Sequence, residues 1–467
     1  MSDHRNTYYL VIDAGTTRFK VALITPEGKV HKKADHHYSQ KPTNFHIYTP
    51  GDFIDSLKHT FGIILKDINH PQIRGIGVTG HGPTLIPVSK DGKPLYTAIG
   101  YLDERVSQYV KRLKSMFGDN LTSSMYIPIA LYFKEEHPDT YQKTYRFLQS
   151  FDYINYLLTG NFCSTSSDLG ISPWTNSTLE SAGLDPDKFS RIYGMGVTIG
   201  ETSQNAFELF GIPPGIPVHS VGIDFAAAIL GTGALDRGKS CERAGSSGGI
   251  NLCWDKPVDD PRLLCYSHFK KTLYNIAAIT STSGRALQWI GKICGSFKVS
   301  PPKSLTELKK IIFLPYLKGE RTPLWNPKAS GLFFGLRDEH TRRDIILSVY
   351  TGICLSVRDC IEIIEENGCE FTDPVAITGW GAKIEWFVKL KAAVTGKRYM
   401  LLQTEDGELL GCMIVCAVND RFYNTIEEAV SSVLKVKKIV EPDPNEYEYF
   451  ADFYEKYKRL RKILYEE

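Results

Sequence analysis

Near the start of the chain, Tyr8-Tyr9-Leu10-Val11-Ile12 is an apolar run that stops at Asp13 and bends through Gly15-Thr16-Thr17. It leaves as Phe19 to Ile24 and ends in the turn Thr25-Pro26-Glu27-Gly28. Two short strands joined by small, hydroxylated residues read as a hairpin. The pattern returns near mid-chain, where Ala244-Gly245-Ser246-Ser247-Gly248 opens into Ile250-Asn251-Leu252-Cys253-Trp254. A second echo sets Gly77-Val78-Thr79-Gly80-His81-Gly82 against Ala376-Ile377-Thr378-Gly379-Trp380-Gly381. Internal self-similarity of this kind points to duplicated units, here two related α/β domains. Between the echoes, Ile73 to Gly80 and Leu85 to Val88 read as strands, and residues 104–116 and 150–158 as helices.

Composition narrows the partners. The chain has 467 residues, about three times a typical domain, so two or more domains are expected. Its 55 basic and 53 acidic residues leave a net charge of +2, too even for a protein whose main partner is nucleic acid or an anionic membrane. The run Lys456, Lys458, Arg459, Arg461 and Lys462 reads as the solvated face of an amphipathic C-terminal helix over 443–467. No stretch approaches the roughly 18 apolar residues of a membrane span. The first residues contain no apolar leader segment, so a cytoplasmic protein is expected. The ten cysteines include no CxxC pair; Cys412 and Cys416 share one helical face in an Ala/Val/Ile-rich run and read as core, with reduced thiols throughout.

Two phosphate-binding patterns fail in context. Gly233 to Ser240 matches GxxxxGK[ST], but that motif needs a strand before it and a helix after it. Here an Ala-rich helical stretch, Phe225 to Leu230, precedes it and a strand follows, so a helix-ending glycine and a surface turn are expected. Gly75 to Gly80 matches GxGxxG, yet Ile73, Ile76 and Val78 continue a strand through the glycines, and Pro83 opposes a following helix.

The hairpin from Asp13 to Lys20 has a stronger chemical case. A tight bend of small residues exposes backbone N–H groups and hydroxyls that can hold phosphate oxygens. Asp13, ending the first strand, is placed to hold Mg²⁺ directly or through water. Gly245-Ser246-Ser247 offers an equivalent bend, although either bend alone can be an ordinary turn. In Val221-Gly222-Ile223-Asp224-Phe225, an acid closes an apolar strand and opens a helix. Asp there is commonly an N-cap, but a carboxylate between two phosphate bends is also what phosphoryl transfer to an alcohol requires.

At this point the chain resembles the FGGY carbohydrate kinases, of the actin/hexokinase/heat-shock chaperone ATPase superfamily, over nearly its whole length. Asp13-Ala14-Gly15-Thr16-Thr17 is similar to the family's first phosphate motif. Gly80-His81-Gly82-Pro83 and Asp103-Glu104-Arg105 resemble its sugar-facing segments. Asp152-Tyr153 through Gly160, then Ser167-Asp168, resembles its DYLxxxLTG…SD stretch. Asp224 falls on its catalytic base, Gly245-Ser246-Ser247 on its second phosphate motif, and Pro315 to Pro323 on its PYLxGERxP stretch. Gly379-Trp380-Gly381-Ala382-Lys383 resembles its adenosine motif.

The resemblance implies an α/β protein of two actin-like (ribonuclease H-like) domains flanking a deep nucleotide and sugar cleft, with a C-terminal helix packed on the body. The expected divisions are 1–238, 239–440 and 441–467. It implies a kinase using ATP and Mg²⁺ on a small ketose, polyol or sugar acid, with D-xylulose or a related pentulose the leading substrate and a homodimer compatible. Nucleotide would meet Asp13, Gly15, Thr16, Thr17, Lys20, Gly245, Ser246, Ser247, Gly379, Gly381 and Ala382, with Asp13 at the metal. Sugar would meet His81, Gly82, Asp103, Arg105 and the base Asp224. Departures bear on the substrate: His81-Gly82-Pro83-Thr84 replaces Gln-Met-His-Gly, and Tyr101-Leu102 replaces Trp-Asn. Phe225 follows the base, and Trp380 takes a glycine's place, where it can stack near nucleotide or point outward. His81 has a structural alternative, a histidine bonded to a neighbouring carbonyl. The competing functions are a sugar-binding regulator on the same fold and a chaperone-like or filament-forming ATPase. Retention of Asp13 and Asp224 counts against the first, and the sugar-facing segments count against the second.

Overall fold

The computed structural model describes residues 7–38, 47–66, 72–100, 103–109, 112–113, 126–166, 174–372 and 374–466. These group into two compact units. The first holds the chain through Gly231 together with Glu408–Val433; the second holds Thr232–Gly407 with the chain from Leu434 onward.

The first unit is built on six strands, β1 (Thr7–Ala14), β2 (Arg18–Ile24), β3 (Val30–His37), β4 (Gln72–Gly80), β5 (Thr198–Glu201) and β6 (Pro217–Ile223). Their order is β5-β6-β4-β1-β2-β3. β1 pairs antiparallel with β2 and parallel with β4, and β4 is parallel to β6. β1 is buried along its whole length, and a strand covered on both faces reads as a continuous apolar run. The Pro50–Ile64 helix, with proline in its first turn, buries Phe53, Leu57, Phe61 and Ile64 in the same core. That spacing of three and four residues is the stripe of an amphipathic helix. Each such side chain contributes roughly 1.5–3 kcal/mol when fully buried.

The second unit repeats this plan with β7 (Ser240–Arg243), β8 (Gly248–Trp254), β9 (Leu264–Ser267), β10 (Tyr274–Thr280), β11 (Val375–Thr378), β12 (Tyr399–Leu402) and β13 (Val436–Val440). Their order is β9-β10-β8-β7-β11-β12-β13. Without the edge strand β9, the two orders correspond strand for strand. The hairpin β7/β8 answers β1/β2, the parallel neighbour β11 answers β4, and the antiparallel terminal pair β12/β13 answers β6/β5. The echo in the sequence is a duplicated sheet. A long helix, Arg342–Glu366, starts at a capping box made by Thr341 and Asp344.

The rejected motifs lie as their context required. Gly233 (φ 74°) follows the Asp224–Thr232 helix, and β7 begins at Ser240. Gly75, Gly77 and Gly80 lie inside β4. Gly77 is there for contact: a Cβ would stand 2.8 Å from Cys416 Sγ and 3.2 Å from the Cys412 carbonyl. This places the Gly407–Asn419 helix on the first unit's sheet.

The units therefore differ from a linear division at 238/239. Residues 408–433 belong with the first unit because their contacts are there. A Cβ on Gly411 would strike the Ala227 carbonyl at 1.9 Å. The Tyr9 hydroxyl donates to Asp420 at 2.7 Å, and Tyr423 donates to the Pro26 carbonyl at 3.1 Å. The C-terminal helix, Pro444–Tyr465, is capped by Asp443 and buries Phe450, Phe453, Tyr454 and Tyr457 in the second unit. Its basic run is not wholly solvated. Arg461 is buried and pairs with Asp359 at 3.1 Å, while Tyr454 donates to the same carboxylate at 3.0 Å. An ion pair made 102 positions away (461 − 359) turns one basic residue of the run inward.

Candidate active site

In the first unit, three parallel strands deliver their ends to one edge. Asp13 of β1 and Gly222 of β6 both stand opposite Thr79 of β4, and Ile223 stands opposite Gly80. Asp13, His81 and Asp224 therefore emerge together at the carboxyl edge of the sheet, where ligand sites of α/β proteins collect.

Asp13 is buried. Its Oδ2 accepts from Lys20 Nζ at 2.9 Å, and its Oδ1 has no hydrogen-bond partner among the described residues. A buried carboxylate oxygen without a donor is costly, and water or a cation would satisfy it. The bend is closed by Gly15 N–H donating to the Arg18 carbonyl at 3.1 Å and is anchored by the Tyr38 hydroxyl on the Gly15 carbonyl at 3.0 Å. Thr16 and Thr17 are half-buried at its tip.

His81 takes the structural alternative in its geometry. Its ring is buried beside Phe53, and both Nδ1 (2.8 Å) and the backbone N–H (3.0 Å) donate to the Ala14 carbonyl. Burial lowers its pKa to about 4, so the imidazole is neutral near pH 7 and braces the hairpin. Gly82 packs closely: a Cβ would stand 3.1 Å from the Tyr126 hydroxyl and 3.2 Å from Ile223 Cδ1. Tyr126 donates to Gln149 Oε1, and Gln149 Nε2 donates to Asp152 Oδ2 at 2.7 Å. Burial raises the Asp152 pKa to about 7.

Asp103 and Arg105 form one device. The buried Asp103 carboxylate accepts from Arg105 N, Nε and Nη2 at 3.1, 2.9 and 2.6 Å. With both Asp103 oxygens bonded to Arg105, the guanidinium, 27% exposed, is the partner that faces outward. Asp224 opens the Asp224–Thr232 helix, half-buried beside Phe225, where the helix dipole favours its charge. Tyr101, Leu102, Ser167 and Asp168 lie outside the described residues.

In the second unit, β7 and β11 run parallel, with Arg243 opposite Thr378. The Gly245-Ser246-Ser247 bend and the Gly379-Trp380-Gly381-Ala382 turn therefore leave the sheet side by side. Gly379 (φ 89°) is required twice over, by its left-handed backbone and because a Cβ would stand 3.0 Å from the Ala244 carbonyl. Gly381 N–H donates to that carbonyl at 3.0 Å. The bend residues are half-exposed, whereas Gly379, Gly381 and Ala382 are buried. Trp380 packs edge-on against Phe297, with ring centroids 5.6 Å apart.

The sequence reading missed two supports. Tyr38 anchors the first bend, and Ser283 to Arg285 bond the second. The run Ser281-Thr282-Ser283-Gly284 after an apolar strand was the available signal for the latter. Among the described residues no group of three or more His, Cys, Asp and Glu is placed to hold a metal, and no helix is long and apolar enough to cross a membrane.

Carboxylates and Gly-hydroxyl bends at the edges of a duplicated sheet are the equipment of a phosphotransferase acting on an alcohol. The N-terminal domain model of the FGGY family of carbohydrate kinases matches residues 8–231 and its C-terminal domain model residues 264–419, and the chain belongs to that family. It is a sugar kinase that uses ATP and acts on a small-molecule sugar. It is 24% identical to a xylulose kinase of Staphylococcus xylosus, covering 97% of this chain and 99% of that one. Similar solved structures include a ligand-bound xylulose kinase from Lactobacillus acidophilus (TM-score 0.84) and a gluconate kinase from the same organism (TM-score 0.83). Each is 20% identical and covers 98% of both chains. The α/β fold in two units expected from the sequence is thereby established as the fold shared with these kinases.

Proposed function

We propose that this kinase transfers the γ-phosphate of MgATP to a hydroxyl of D-xylulose or a related pentulose, with Asp224 as the base. The observation that carries the reading is the common edge at which β1, β4 and β6 end. Asp224 accepts the hydroxyl proton as the bond to phosphorus forms. The Gly15–Thr17 bend of the first unit and, separately, the Gly245–Ser247 bend of the second each offer N–H groups and hydroxyls suited to phosphate oxygens. The Gly379–Ala382 turn receives the adenosine. Asp13, through its undonated Oδ1, would hold Mg²⁺ with water, and the bound ion would neutralise phosphate charge. Arg105, aimed by Asp103, and Gly82 line the sugar side, while His81 supports the hairpin.

The similarity to xylulose kinases supports the pentulose. A sugar acid is the second reading, favoured by the outward guanidinium of Arg105 and the similarity to a gluconate kinase. Ten unpaired cysteines support a reducing, cytoplasmic setting.

The test is ADP release with MgATP against ketoses, polyols and sugar acids, for wild type and Asp224→Asn. Pentulose-dependent release should fall about 100- to 10,000-fold in the variant while ATP still binds. A sugar acid as the best substrate would replace the pentulose. Near-wild-type turnover in Asp224→Asn would remove it as the base.

A further inference from the structure

The segment resembling the family's PYLxGERxP stretch has no part in the reaction as drawn, yet it contains a buried carboxylate. Glu320 is 2% exposed. Its Oε1 accepts from the backbone N–H of Ser281 at 2.5 Å and of Arg321 at 2.8 Å, while Oε2 has no hydrogen-bond partner among the described residues. The next two residues continue the stitching. Arg321 Nη2 donates to the Thr280 carbonyl at 2.8 Å. Thr322 and Ile279 exchange two bonds: Thr322 N–H to the Ile279 carbonyl at 2.9 Å, and Ile279 N–H to Thr322 Oγ1 at 3.0 Å. Glu320-Arg321-Thr322 thus clamps Ile279-Thr280-Ser281, where β10 ends.

Two residues further on, the clamped strand meets the second bend. Ser283 N–H and Arg285 N–H both donate to the Ser246 carbonyl, at 3.0 and 3.1 Å, and Gly284 N–H donates to the Gly245 carbonyl at 2.9 Å. The Gly284–Cys294 helix therefore spends its first unpaired N–H groups on the bend rather than on a ligand. Gly284 is needed for this approach, since a Cβ would stand 2.7 Å from the Gly245 carbonyl. In a planar trans peptide the C=O and the following N–H point in opposite directions. Turning the Gly245 and Ser246 carbonyls toward the helix consequently aims the Ser246 and Ser247 N–H groups away from it.

We propose that Glu320 is a positioning residue for the nucleotide phosphates: it holds the Ser281–Gly284 connection so that the helix start turns the second bend's amides outward. The proposal rests on the reading of Gly245–Ser247 as a phosphate bend. Burial raises the Glu320 pKa to about 7, consistent with a role as a hydrogen-bond acceptor, which the neutral form retains.

The test is calorimetric binding of MgATP and of adenosine to the full chain. Glu320→Leu removes the acceptor and should weaken MgATP roughly 10- to 100-fold while adenosine binds as in wild type. Glu320→Gln keeps the acceptor and should bind both as wild type does. Glu320→Asp keeps charge but shortens the reach, and should resemble the leucine variant. Equal losses for MgATP and adenosine, or an unaltered MgATP affinity in Glu320→Leu, would overturn the proposal. If the leucine variant does not fold, the Asp and Gln variants decide, and tolerance of Asp with loss in Gln overturns it. Ser247→Pro, which deletes one bend N–H, separates the two ideas. Unchanged MgATP binding there refutes the phosphate bend itself; a loss there with Glu320→Leu unaffected refutes only the role of Glu320.

Discussion

Lys391 and Glu242 form an ion pair at the heart of the second unit, with side chains 0% and 1% exposed. Lys391 lies on the Glu385–Thr395 helix and Glu242 on β7, the strand that runs into the Gly245 bend. The ammonium donates to Glu242 Oε1 and stands 4.6 Å from the Phe387 ring centroid; Oε2 has no hydrogen-bond partner among the described residues. Lys391→Met fills similar volume but leaves a buried, uncompensated carboxylate. Breaking such a pair costs about 3–5 kcal/mol, whereas replacing both charges with apolar residues is near neutral or stabilising. At about 2–4 °C per kcal/mol for a unit of this size, the single variant should melt roughly 6–20 °C lower at pH 7 by scanning calorimetry. Lys391→Met/Glu242→Leu should recover most of that loss. A single variant within about 1 kcal/mol of wild type, or a double variant as unstable as the single, would refute the reasoning.

The remaining predictions concern nucleotide and protons. Thr16→Val should raise the KM for MgATP by roughly 10-fold or more through the loss of a hydrogen bond to a charged group, with the sugar KM little changed; the reverse pattern would undo the placement of the first hairpin. Burial raises the pKa values of Asp152 and Glu320 to about 7 and of Asp359 to about 6, so the folded state holds protons that the unfolded state releases near pH 4. Their contribution is complete below about pH 4 and is lost as pH rises through 6–7. His81, His219 and His268, lowered to about 4 by burial, act oppositely, losing stability as pH falls from about 6.5 to 4. Between about pH 7 and 7.5 the unfolded-state histidines are mostly neutral, so the two slopes still oppose but the carboxyl slope is the larger. Denaturant melts across that window should show stability declining, and Asp152→Asn should flatten the decline whatever it does to the absolute level. An unchanged slope would mean that Asp152 does not titrate there.

What could be read in advance was local. The first hairpin announced itself because a strand buried on both faces must be continuously apolar, and because its bend admits only small residues. The duplication was visible for the same reason, since equivalent strand ends need equivalent glycines. Long-range choices were not legible. Nothing in the Gly407–Asn419 stretch says which sheet it covers; that follows from Gly77 and Gly411 clearing space for it. Arg461 looked solvated beside Lys456 and Lys462, and only Asp359 explains its burial. His81 could serve sugar or scaffold until the Ala14 carbonyl was seen beneath its ring. Glu320 stood in a recognisable segment, but its role depends on Ser281 and Ser283, which no pattern within residues 315–323 reveals.

The return of residues 408–433 to the first unit sets a clock on biosynthesis. The face of β4 at Gly77, the Ala227 carbonyl and the Tyr9 hydroxyl find their partners in Cys412, Cys416, Gly411 and Asp420. A nascent chain that has emerged through Gly231 must keep that face uncovered while about two hundred further residues are translated, roughly 10–40 s at ribosomal speeds. During that interval the second unit's sheet can complete all its strands but β13, so the part of the protein made first is the part finished late.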